Sequence, residues 1–509
     1  MQKPQLYDDQ KQVVDEVLSH IKSGQSRILI WAETGTGKTT IAAQLMSWAN
    51  RADCPSLFIV PDEPLINQTL KTVRKFGLSC GVIKAGIKED RSHKIQIAGI
   101  DTLVNRKFPK ADFVFCDEAH GSYAPSWRIV LEHYWKLGAV VIGLTATPYR
   151  TDPKEGLGEI YDCLVKAPPM AQLIEMKRLV PPRYYGFPIL DLSRVRKTKG
   201  DYNADDLDFV VNTDAACEQI VGEWENKAKN RKTIAFTVSL AHSDRLQAAF
   251  QQRGFNAVCV DGRIDPKERS PIYEAFAKGG KFAPQILISV DVLEQGFDEP
   301  SVGCIIQARP TISRRKNKQQ IGRGTRTSPG KEYFIVLDYA GNAYRFGFVT
   351  SQEDVTLSKD GIKSKGGEAP IKPCSRIKGG CGALLHLSVM KCPYCNYEFP
   401  KKQKQAHYQQ SMVALVGPAQ NNSDEKTAFY IEAAQHSYNK DLPPGMAIAN
   451  FQKKFNCQPT PAHTVGAVFG LNPSHNQRKA YRAYLQRQAL RASQDLAWVE
   501  KYMQLEFNC

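Results

Sequence analysis

The sequence lacks any long hydrophobic run. No stretch approaches the roughly 18 apolar residues that a membrane-spanning helix needs, and the longest candidate, residues 137–146, has the length of a buried strand. The first ten residues also lack the apolar core of a secretory signal. We therefore expect a soluble, cytoplasmic protein with no membrane partner.

Acidic residues are in deficit. The chain has 52 Asp and Glu against 68 Lys and Arg, for a formal net charge of +16. Such an excess suits a polyphosphate partner, because each bound phosphate releases condensed counterions. A basic but solvated surface is the alternative that charge alone leaves open. Nuclease, protease and Rossmann signatures are also missing.

Two series of apolar runs divide the first two thirds of the chain. The first series lies at residues 27–33, 56–62, 95–101, 112–118 and 139–147. The second series lies at residues 232–238, 256–262, 285–291, 302–309 and 333–340. The runs are continuously apolar, as strands covered on both faces should be, and helical patterns separate them. We predict an α/β protein with two tandem parallel-sheet lobes.

The length of 509 residues requires several domains, since one domain takes roughly 100–200 residues. We predict lobe 1 over 1–178, lobe 2 over 179–348, linkers over 349–372 and 401–423, a zinc-binding module over 373–400 and a helical accessory domain over 424–509. The first linker is rich in Lys, Gly and Ser. The C-terminal helices carry basic residues between apolar ones, which predicts a solvated basic face, with DNA or partner binding as the alternative.

A glycine-rich loop follows the first apolar run. Residues 32–40 read AETGTGKTT and lead from a predicted strand into a predicted helix, the context that a phosphate loop needs. Gly35 and Gly37 let backbone N–H groups close around a phosphate. Lys38 can neutralise the β- and γ-phosphates, and the Thr39 hydroxyl can ligate Mg²⁺. We predict ATP binding by Thr34, Gly35, Thr36, Gly37, Lys38 and Thr39.

An acidic pair follows the fourth apolar run. Residues 117–120 read DEAH, directly after the apolar FVFC segment. The carboxyl end of a parallel strand is where a nucleotide-binding enzyme places its metal-binding aspartate. We predict that Asp117 holds Mg²⁺ through water and that Glu118 orients and deprotonates the attacking water. A solvated turn is the alternative for such a pair on its own.

The order of these motifs resembles that of superfamily 2 helicases. AETGTGKT, DEAH, TAT at 145–147 and Q-x-x-G-R-x-x-R at 319–326 resemble motifs I, II, III and VI. Segments that begin at residues 61, 99, 233 and 289 resemble motifs Ia, Ib, IV and V. The similarity covers about the first 340 residues. It implies that the two parallel-sheet lobes are RecA-like and that they form an ATP-driven motor, which closes and opens the cleft between them.

The resemblance implies roles for further residues. Arg323 and Arg326 would stabilise charge on the γ-phosphate from across the cleft, which suits the permanently charged, planar guanidinium. An isolated pair of arginines such as Arg323 and Arg326 could alternatively lie on the surface. Gln319 would approach the same phosphate. Further nucleotide contacts are implied at Gln10, Gly296 and Asp298. Coupling of ATP state to lobe closure is implied for His120, Thr145 and Thr147. Contacts to a bound strand are implied for Pro61, Gly99, Thr102, Ser239 and Gly262.

A narrower similarity links the chain to the bacterial RadD-like branch. The phrases QQIGRG-x-R at 319–326 and LDYAGN at 337–342 carry it, with the cysteine-rich segment that follows. It implies work on DNA in repair, recombination or replication. We expect single-stranded, forked or branched DNA as partner ahead of RNA. A single-stranded-DNA-binding protein is a further candidate partner.

Four of the 13 cysteines cluster near the end of the second lobe. The spacing is Cys374-x₆-Cys381-x₁₀-Cys392-x₂-Cys395, and four thiolates suit a structural, tetrahedral Zn²⁺. Because the first spacing is wide, His386 could replace one of the first two cysteines. The spacing is also compatible with free thiols or with an iron–sulfur cluster.

These features predict Mg²⁺-dependent ATP hydrolysis that is stimulated by DNA and drives translocation, unwinding or branch remodelling. Two further functions stay open. One is a nucleic-acid clamp that has the motor fold without productive turnover. The second is the motor subunit of a restriction system, which would need a nuclease partner.

Overall fold

The structure is a computed structural model that describes most of the chain. The described residues are 4–148, 156–186, 190–198, 200–294, 297–351, 353, 355–357, 370–399, 422–455, 458–459, 464, 467–468 and 474–507. The chain divides into two compact units, Met1–Lys401 and Lys402–Cys509. Within the described part, none of the helices combines the length and the apolar character needed to cross a membrane.

Seven parallel strands form the sheet of lobe 1. They are β1 (Arg27–Trp31), β2 (Ser56–Val60), β3 (Cys80–Ile83), β4 (Ile95–Gly99), β5 (Phe113–Cys116), β6 (Val140–Thr145) and β7 (Cys163–Lys166). Their order across the sheet is β3-β4-β2-β5-β6-β1-β7. Every residue of β2 and β5 is buried, because helices cover both faces of the sheet.

Helices alternate with these strands. They are α1 (Asp8–Lys22), α2 (Lys38–Arg51), α3 (Glu63–Lys75), α4 (Ile100–Leu103), α5 (Pro125–Lys136) and α6 (Met170–Glu175). One face of α2 is buried through Ile41, Leu45 and Met46, which fixes the helix against the sheet. Its first residue is Lys38, so the packing of α2 places the start of this helix at the carboxyl end of β1.

A second parallel sheet, of six strands, forms lobe 2. Its strands are β8 (Pro182–Gly186), β11 (Thr233–Phe236), β12 (Ala257–Cys259), β13 (Ile286–Ser289), β14 (Cys304–Gln307) and β15 (Phe334–Asp338). Their order is β12-β13-β11-β14-β15-β8. A short antiparallel hairpin, β9 (Lys197–Thr198) and β10 (Asp201–Tyr202), precedes the helices of this lobe.

The helices of lobe 2 begin at residues whose side chains satisfy backbone donors. They are α7 (Ala204–Val211), α8 (Asp214–Ala228), α9 (Leu240–Gln252), α10 (Pro266–Lys278), α11 (Arg314–Gly322) and α12 (Asn342–Phe346). Thr213, Ser239 and Ser313 accept hydrogen bonds from the third residue of their helices. Such caps stabilise a helix start by about 1 kcal/mol.

The segment after lobe 2 returns to lobe 1. Val355 is buried, and the Leu357 carbonyl accepts a 2.9 Å hydrogen bond from the Gly158 amide. Glu353 is buried nearby. The beginning of the predicted first linker therefore packs on the protein, whereas residues 358–369 of that linker lie outside the described residues.

The cysteine module packs against lobe 2. Its strands β16 (Ile371–Pro373) and β17 (Leu384–His386) pair antiparallel, and Ala383 bridges to Tyr185 of β8. Arg376 forms an ion pair with Glu223 of α8, in which its Nη2 atom lies 2.7 Å from Oε2. The module therefore covers the outer edge of β8.

The second unit is helical in its described part. Its helices are α13 (Asn422–Asn439), α14 (Gly445–Phe455), α15 (His475–Arg491) and α16 (Leu496–Phe507). Tyr484 and Leu485 of α15 pack with Val499 of α16 in one core. Three arginines of α15 form ion pairs within the unit, at Arg482, Arg487 and Arg491. Part of the predicted basic face is therefore neutralised internally.

The predicted fold class is confirmed: two parallel-sheet lobes, a cysteine cluster and a helical C-terminal region are present. Within the two parallel sheets, three strands were not predicted, and each lies at a sheet edge: β3, β7 and β8. Only alternate residues of β3 are buried, and β7 has a single buried residue. An edge strand is less covered than a central one, so its sequence has no continuous apolar run.

Candidate nucleotide site between the lobes

The loop between β1 and α2 has the conformation of a phosphate-binding loop. Gly35 and Gly37 have φ angles of 91° and 88°, which favour glycine. A Cβ on Gly37 would lie 2.5 Å from the Nε2 atom of Gln10. The Thr36 amide and hydroxyl both donate to the Glu33 carbonyl, at 3.2 and 2.8 Å. The loop is thus held as a tight turn that directs the start of α2 toward a cavity.

Gln10 holds the loop and does not line that cavity. Its Nε2 donates to the Thr36 carbonyl at 2.7 Å, and its Oε1 accepts from the Tyr7 amide at 3.1 Å. Tyr7 does line the cavity and is 57% exposed. The Arg178 guanidinium lies over the Tyr7 ring, 3.4 Å from its centroid. A cation and an aromatic face therefore stand together at the mouth of the cavity.

Asp117 and Glu118 follow β5 and face the same cavity. Glu118 has a φ of 49°, a left-handed conformation that is uncommon for residues other than glycine and clusters at functional sites. Burial, reinforced by the charge of Glu118, raises the pKa of Asp117. Burial would also raise the pKa of Glu118, but the hydrogen bond and charge of His120 and the charge of Lys38 outweigh it and lower that pKa. Glu118 is therefore the more acidic member of the pair.

A polar network connects this acidic pair to both lobes. The Nδ1 atom of His120 lies 3.2 Å from Oε2 of Glu118 and 3.4 Å from Oγ1 of Thr145. The second ring nitrogen, Nε2, lies 3.2 Å from Nη1 of Arg315 on α11. The Thr147 amide donates to Thr145 at 3.1 Å. The three residues predicted to couple ATP state to closure thus lie together, next to a lobe 2 arginine.

One cavity of about 410 Å³ is lined by both lobes. Predicted site residues in its wall are Thr34, Gly35, Gly37, Lys38, Thr39, Asp117, Glu118, Asp298, Gln319, Arg323 and Arg326. Thr36 is buried inside the loop. Gly296 lies outside the described residues. A lysine from lobe 1 and two arginines from lobe 2 therefore converge on one space, as phosphoryl transfer from a nucleotide requires.

Both arginines are held by the segment that precedes them in lobe 2. Arg323 donates to the carbonyl oxygens of Glu294 and Phe297, and burial lowers its pKa to about 10. Arg326 forms an ion pair with Asp298. Asp298, predicted as a nucleotide contact, thus positions Arg326 in this structure. Lys331 donates to the Arg326 carbonyl at 2.8 Å and fixes the same loop.

The residues predicted to contact a nucleic-acid strand lie at carboxyl ends of strands. Pro61 follows β2, Gly99 ends β4, and Thr102 lies in α4. Ser239 and Gly262 follow β11 and β12. The Ser239 hydroxyl is engaged within the protein, because it caps α9 and donates to Asp208.

The four cysteines form a compact cluster. Their Sγ atoms all lie within 4.8 Å of one another, with Cys374 and Cys395 at 3.6 Å and Cys381 and Cys392 at 3.7 Å. Four sulfurs at about 2.3 Å from a tetrahedral zinc would be about 3.8 Å apart. The donor set therefore fits Zn²⁺. His386 is not part of the cluster; it is exposed, with Nδ1 2.7 Å from the Ser388 hydroxyl.

Three residues of the site were missed by sequence reasoning: Arg178, Arg315 and Lys318. Their partners Asp9, His120 and Glu33 are 169, 195 and 285 residues away in the chain. Spacing motifs cannot reveal such pairs. The one available signal was the charge of α11, where RRKNK precedes QQIG on a helix that enters the cleft.

Two family models match the chain. The model described as "Type III restriction enzyme, res subunit" matches residues 3–150. The model described as "Helicase conserved C-terminal domain" matches residues 201–328. The two matches fall on the two lobes in order.

Curated relatives are similar at low identity. A 51.5 kDa protein of Lactococcus phage (isolate 7-9) is 25% identical over 84% of this chain and 89% of its own length. Irc3 of Saccharomyces cerevisiae, which carries the name of an ATP-dependent helicase, is 28% identical over 74% of this chain and 57% of its own. The type I restriction enzyme EcoAI endonuclease subunit of Escherichia coli is 26% identical over 66% and 46%. The chain thus spans only about half the length of the last two.

Solved structures share the fold. A fragment described as an HsdR subunit of a type I restriction enzyme from Vibrio vulnificus YJ016 has a TM-score of 0.55 and 24% identity, and the match covers 68% of this chain and 66% of that one. The type ISP restriction-modification enzyme LlaBIII has a TM-score of 0.51 and 18% identity, over 66% and 28%.

Two parallel-sheet lobes that enclose a phosphate loop, an acidic pair and two arginines define the class of two-lobed, nucleotide-driven motors. With the helicase C-terminal model on its second lobe and the restriction-enzyme res-subunit model on its first, the chain belongs to superfamily 2 of the helicases, a class of ATP-hydrolysing enzymes.

Proposed function

We propose that the chain is an ATP-dependent helicase or translocase that acts on DNA. The observation that carries this proposal is the cavity lined by Lys38 and Glu118 from lobe 1 and by Arg323 from lobe 2. Hydrolysis at a site built from two lobes would change their separation, and that change is what a motor uses to move along a strand.

The residues of lobe 1 bind the phosphates and activate water. Lys38 binds the β- and γ-phosphates, while the amides of Thr34, Gly35, Thr36 and Gly37 close around them. Thr39 and Asp117 would hold Mg²⁺, which supplies charge neutralisation when bound. Glu118 orients the attacking water and accepts its proton, a role that its lowered pKa keeps available at neutral pH.

The residues of lobe 2 complete the site. Arg323 and Arg326 stabilise the charge that develops on the γ-phosphate, and Gln319 approaches the same group. An incoming triphosphate competes with Asp298 for Arg326. Asp298 and Gly296 would contact the ribose or the nucleophilic water, and Gln10 would contribute to nucleotide binding by holding the phosphate loop at the Thr36 carbonyl.

We further propose how ATP state reaches the bound strand. His120, Thr145 and Thr147 transmit it, because their network extends from Glu118 to Arg315 of the opposite lobe. The strand would lie along Pro61, Gly99, Thr102, Ser239 and Gly262. Contacts from these loops would fall mostly on its sugar-phosphate backbone, so base preference should be slight.

DNA is the proposed substrate, for two reasons. The formal charge of +16 favours a polyanion. Relatives named as endonuclease subunits of restriction enzymes support DNA ahead of RNA. The RadD-like phrases at 319–326 and 337–342 support a role in repair, recombination or replication, with single-stranded, forked or branched DNA as substrate and a single-stranded-DNA-binding protein as candidate partner.

The proposed domain limits are those expected above, with lobe 1 over 1–178, lobe 2 over 179–348, the cysteine module over 373–400 and the helical domain over 424–509. We propose that the module holds structural Zn²⁺, because its four sulfurs are spaced as one tetrahedral ion requires.

A phosphate-release assay tests the proposed function. It compares wild type, Lys38→Ala and Glu118→Gln without nucleic acid and with single-stranded, duplex and forked DNA and with RNA. We expect DNA to stimulate wild type and each variant to lose at least about 100-fold in rate. Lys94→Ala and Glu132→Gln, which change exposed residues, are the matched controls. Normal turnover in Glu118→Gln would refute the site.

The same assay separates the motor from a clamp and from a restriction subunit. A clamp would bind DNA, in a gel-shift experiment, without hydrolysing ATP under any condition. A restriction motor is favoured by the family model on lobe 1 and by the type I restriction relatives. It predicts ATP-dependent cleavage of DNA only after a nuclease partner is added, and mass spectrometry of complexes purified with the tagged chain would reveal that partner.

A further inference from the structure

A lysine of lobe 2 is buried between two glutamates from different parts of the first unit. The Nζ atom of Lys318, on α11, lies 2.8 Å from Oε1 of Glu33 and 2.6 Å from Oε2 of Glu353. The three side chains are only 6%, 6% and 7% exposed. Charged side chains are almost never buried to this degree unless they are paired.

The backbone carbonyl of Glu33 closes the turn of the phosphate loop. Glu33 lies two residues after the end of β1, and its carbonyl accepts hydrogen bonds from both the amide and the hydroxyl of Thr36. Its side chain reaches Lys318 instead. The position of the loop that carries Lys38 therefore depends on a contact with the opposite lobe.

Lobe 2 packs on the same loop at two further points. A Cβ on Gly322, the last residue of α11, would lie 2.8 Å from the Thr34 side chain. A Cβ on Gly35 would lie 2.8 Å from Leu179. Because Lys318 and Gly322 are one turn apart, the same face of α11 contacts both Glu33 and Thr34.

The charges of the triad favour the closed arrangement of the lobes. One ammonium compensates two carboxylates, so none of them can lose its partner and stay buried without cost. Burial raises the pKa of Glu33, although Lys318 opposes this effect. Separation of the lobes would hydrate Glu33, and the pair of Lys318 with Glu33 exists only while α11 lies on the loop.

The basic run of α11 is used inside the protein. Arg314 pairs with Glu353 at 3.1 Å, and Lys316 lies 3.4 Å from Asp291 within lobe 2. Arg315 contacts His120. The simplest expectation for such a basic run is a surface that binds nucleic acid. These side chains instead make their contacts within the protein.

We propose that Lys318 is a positioning residue for nucleotide binding. Its ion pairs with Glu33 and Glu353, which we call the latch, hold α11 against the phosphate loop. Lys38 therefore faces Gln319 and Arg323 before a nucleotide arrives. The latch rests on the proposed function for its effect on hydrolysis, but its effects on lobe closure and on nucleotide affinity do not require turnover.

The test compares Lys318→Met, Glu33→Gln and the double variant with wild type. Each full-length protein is assayed for the Kd of a fluorescent ATP analogue, for kcat and KM of ATP hydrolysis, and for the radius of gyration by small-angle X-ray scattering without nucleotide. We expect Lys318→Met to raise Kd and KM by about tenfold, with a smaller change in kcat, and to increase the radius of gyration.

Lys316→Met is the matched control, because it removes a lysine of the same helix whose partners lie within lobe 2. It should leave Kd within about twofold of wild type. The double variant should bind the ATP analogue no more weakly than the worse of the two single variants, because both substitutions remove the same Lys318–Glu33 pair. An unchanged Kd and radius in Lys318→Met, or additive effects in the double variant, would overturn the latch. Should Lys318→Met fail to fold, Glu33→Gln and Glu353→Gln carry the same test. A wild type without ATPase activity would refute the proposed function only.

Discussion

A buried histidine lies at the start of α9, in lobe 2. His242 is 1% exposed, and its Nδ1 accepts a long hydrogen bond, 3.5 Å, from the Val238 amide. Its Nε2 has no hydrogen-bond partner among the described residues. Burial lowers the pKa of His242 to about 4, with Arg245 adding to this effect and Asp208 opposing it. The ring is therefore neutral in the folded protein at pH values where an exposed histidine already carries charge.

The pKa of His242 makes stability depend on pH. An unfolded histidine titrates near pH 6.5, so between pH 6.5 and 4 the unfolded chain takes up a proton that the folded chain does not. Stability should therefore fall as pH is lowered through this window, by about 2–3 kcal/mol from this residue. Urea unfolding of His242→Gln at pH 7.5 to 4.5 should show a smaller loss than wild type. His475→Gln, at an exposed position, is the control, and identical pH slopes for wild type and His242→Gln would contradict the assignment.

Residues of the nucleotide site could be predicted only where their contact partners lie close in the chain or where they belong to a known motif. Lys38, Thr39, Asp117 and Glu118 fall in two contiguous segments at the ends of β1 and β5, and the geometry places them in one cavity. The pairing of Lys318 with Glu33 spans 285 residues. Such pairs depend on how the two lobes meet, and no local pattern of charge or hydrophobicity encodes that contact.

Among the secondary-structure elements, every central strand of the two parallel sheets was predicted, whereas of the four edge strands only β12 was. A strand between two neighbours is covered by helices on both faces, so β2, β5 and β14 are uninterrupted apolar runs. The edge strand β8 is covered on one side by the cysteine module, through the bridge from Tyr185 to Ala383. Its sequence, PRYYG, mixes charge and aromatics, because Arg183 stacks on Tyr333 outside the sheet.

A glycine in the middle of α8 weakens that helix. Gly222 has ordinary helical surroundings, and a Cβ there would meet only the flexible Arg253 side chain at 3.6 Å. Alanine is favoured over glycine in a helix by about 0.8–1.0 kcal/mol. Gly222→Ala should therefore raise the free energy of unfolding by roughly 0.5–1 kcal/mol, as measured by urea denaturation, without changing ATPase activity. A loss of stability would mean that the Arg253 side chain cannot move.

The cysteine module should stabilise lobe 2 through the proposed zinc ion. Cys374 and Cys392 belong to the same core as Cys217 and Ile335, and the module covers the edge of β8. Loss of the ion would release four thiols into that core. We expect Cys392→Ser to lose its zinc, by elemental analysis, and to lower Tm by about 5 °C or more.

Chelation supplies the control for this prediction. A chelator should lower Tm in wild type and in Cys54→Ser, which lies outside the cluster, and should leave Cys392→Ser unaffected. Full zinc content in Cys392→Ser, or a wild-type Tm that does not respond to the chelator, would count against a structural metal.

At the scale of the whole molecule, the site exists only because lobe 2 lies directly on the phosphate loop. A Cβ on Gly322 would lie 2.8 Å from the Cβ of Thr34, and a Cβ on Gly35 would lie 2.8 Å from the end of the Leu179 side chain. Close packing of this kind makes the two lobes meet in one register, whereas a looser interface would permit several. The glycines at this interface therefore serve closure as much as local backbone geometry.

Gly322→Ala should consequently separate the lobes without unfolding either of them. Its Cβ would lie 2.8 Å from both Cβ and Cγ2 of Thr34, and neither protein segment can yield without moving the loop or α11. We expect kcat/KM for ATP to fall by about tenfold or more while Tm stays within a few degrees of wild type. Gly222→Ala is the control for the same substitution in a helix that does not touch the opposite lobe. Adding Thr34→Gly to Gly322→Ala removes the atoms that clash and should recover part of the activity; if the double variant is no better than Gly322→Ala, the defect lies within α11 and not in the approach of the lobes.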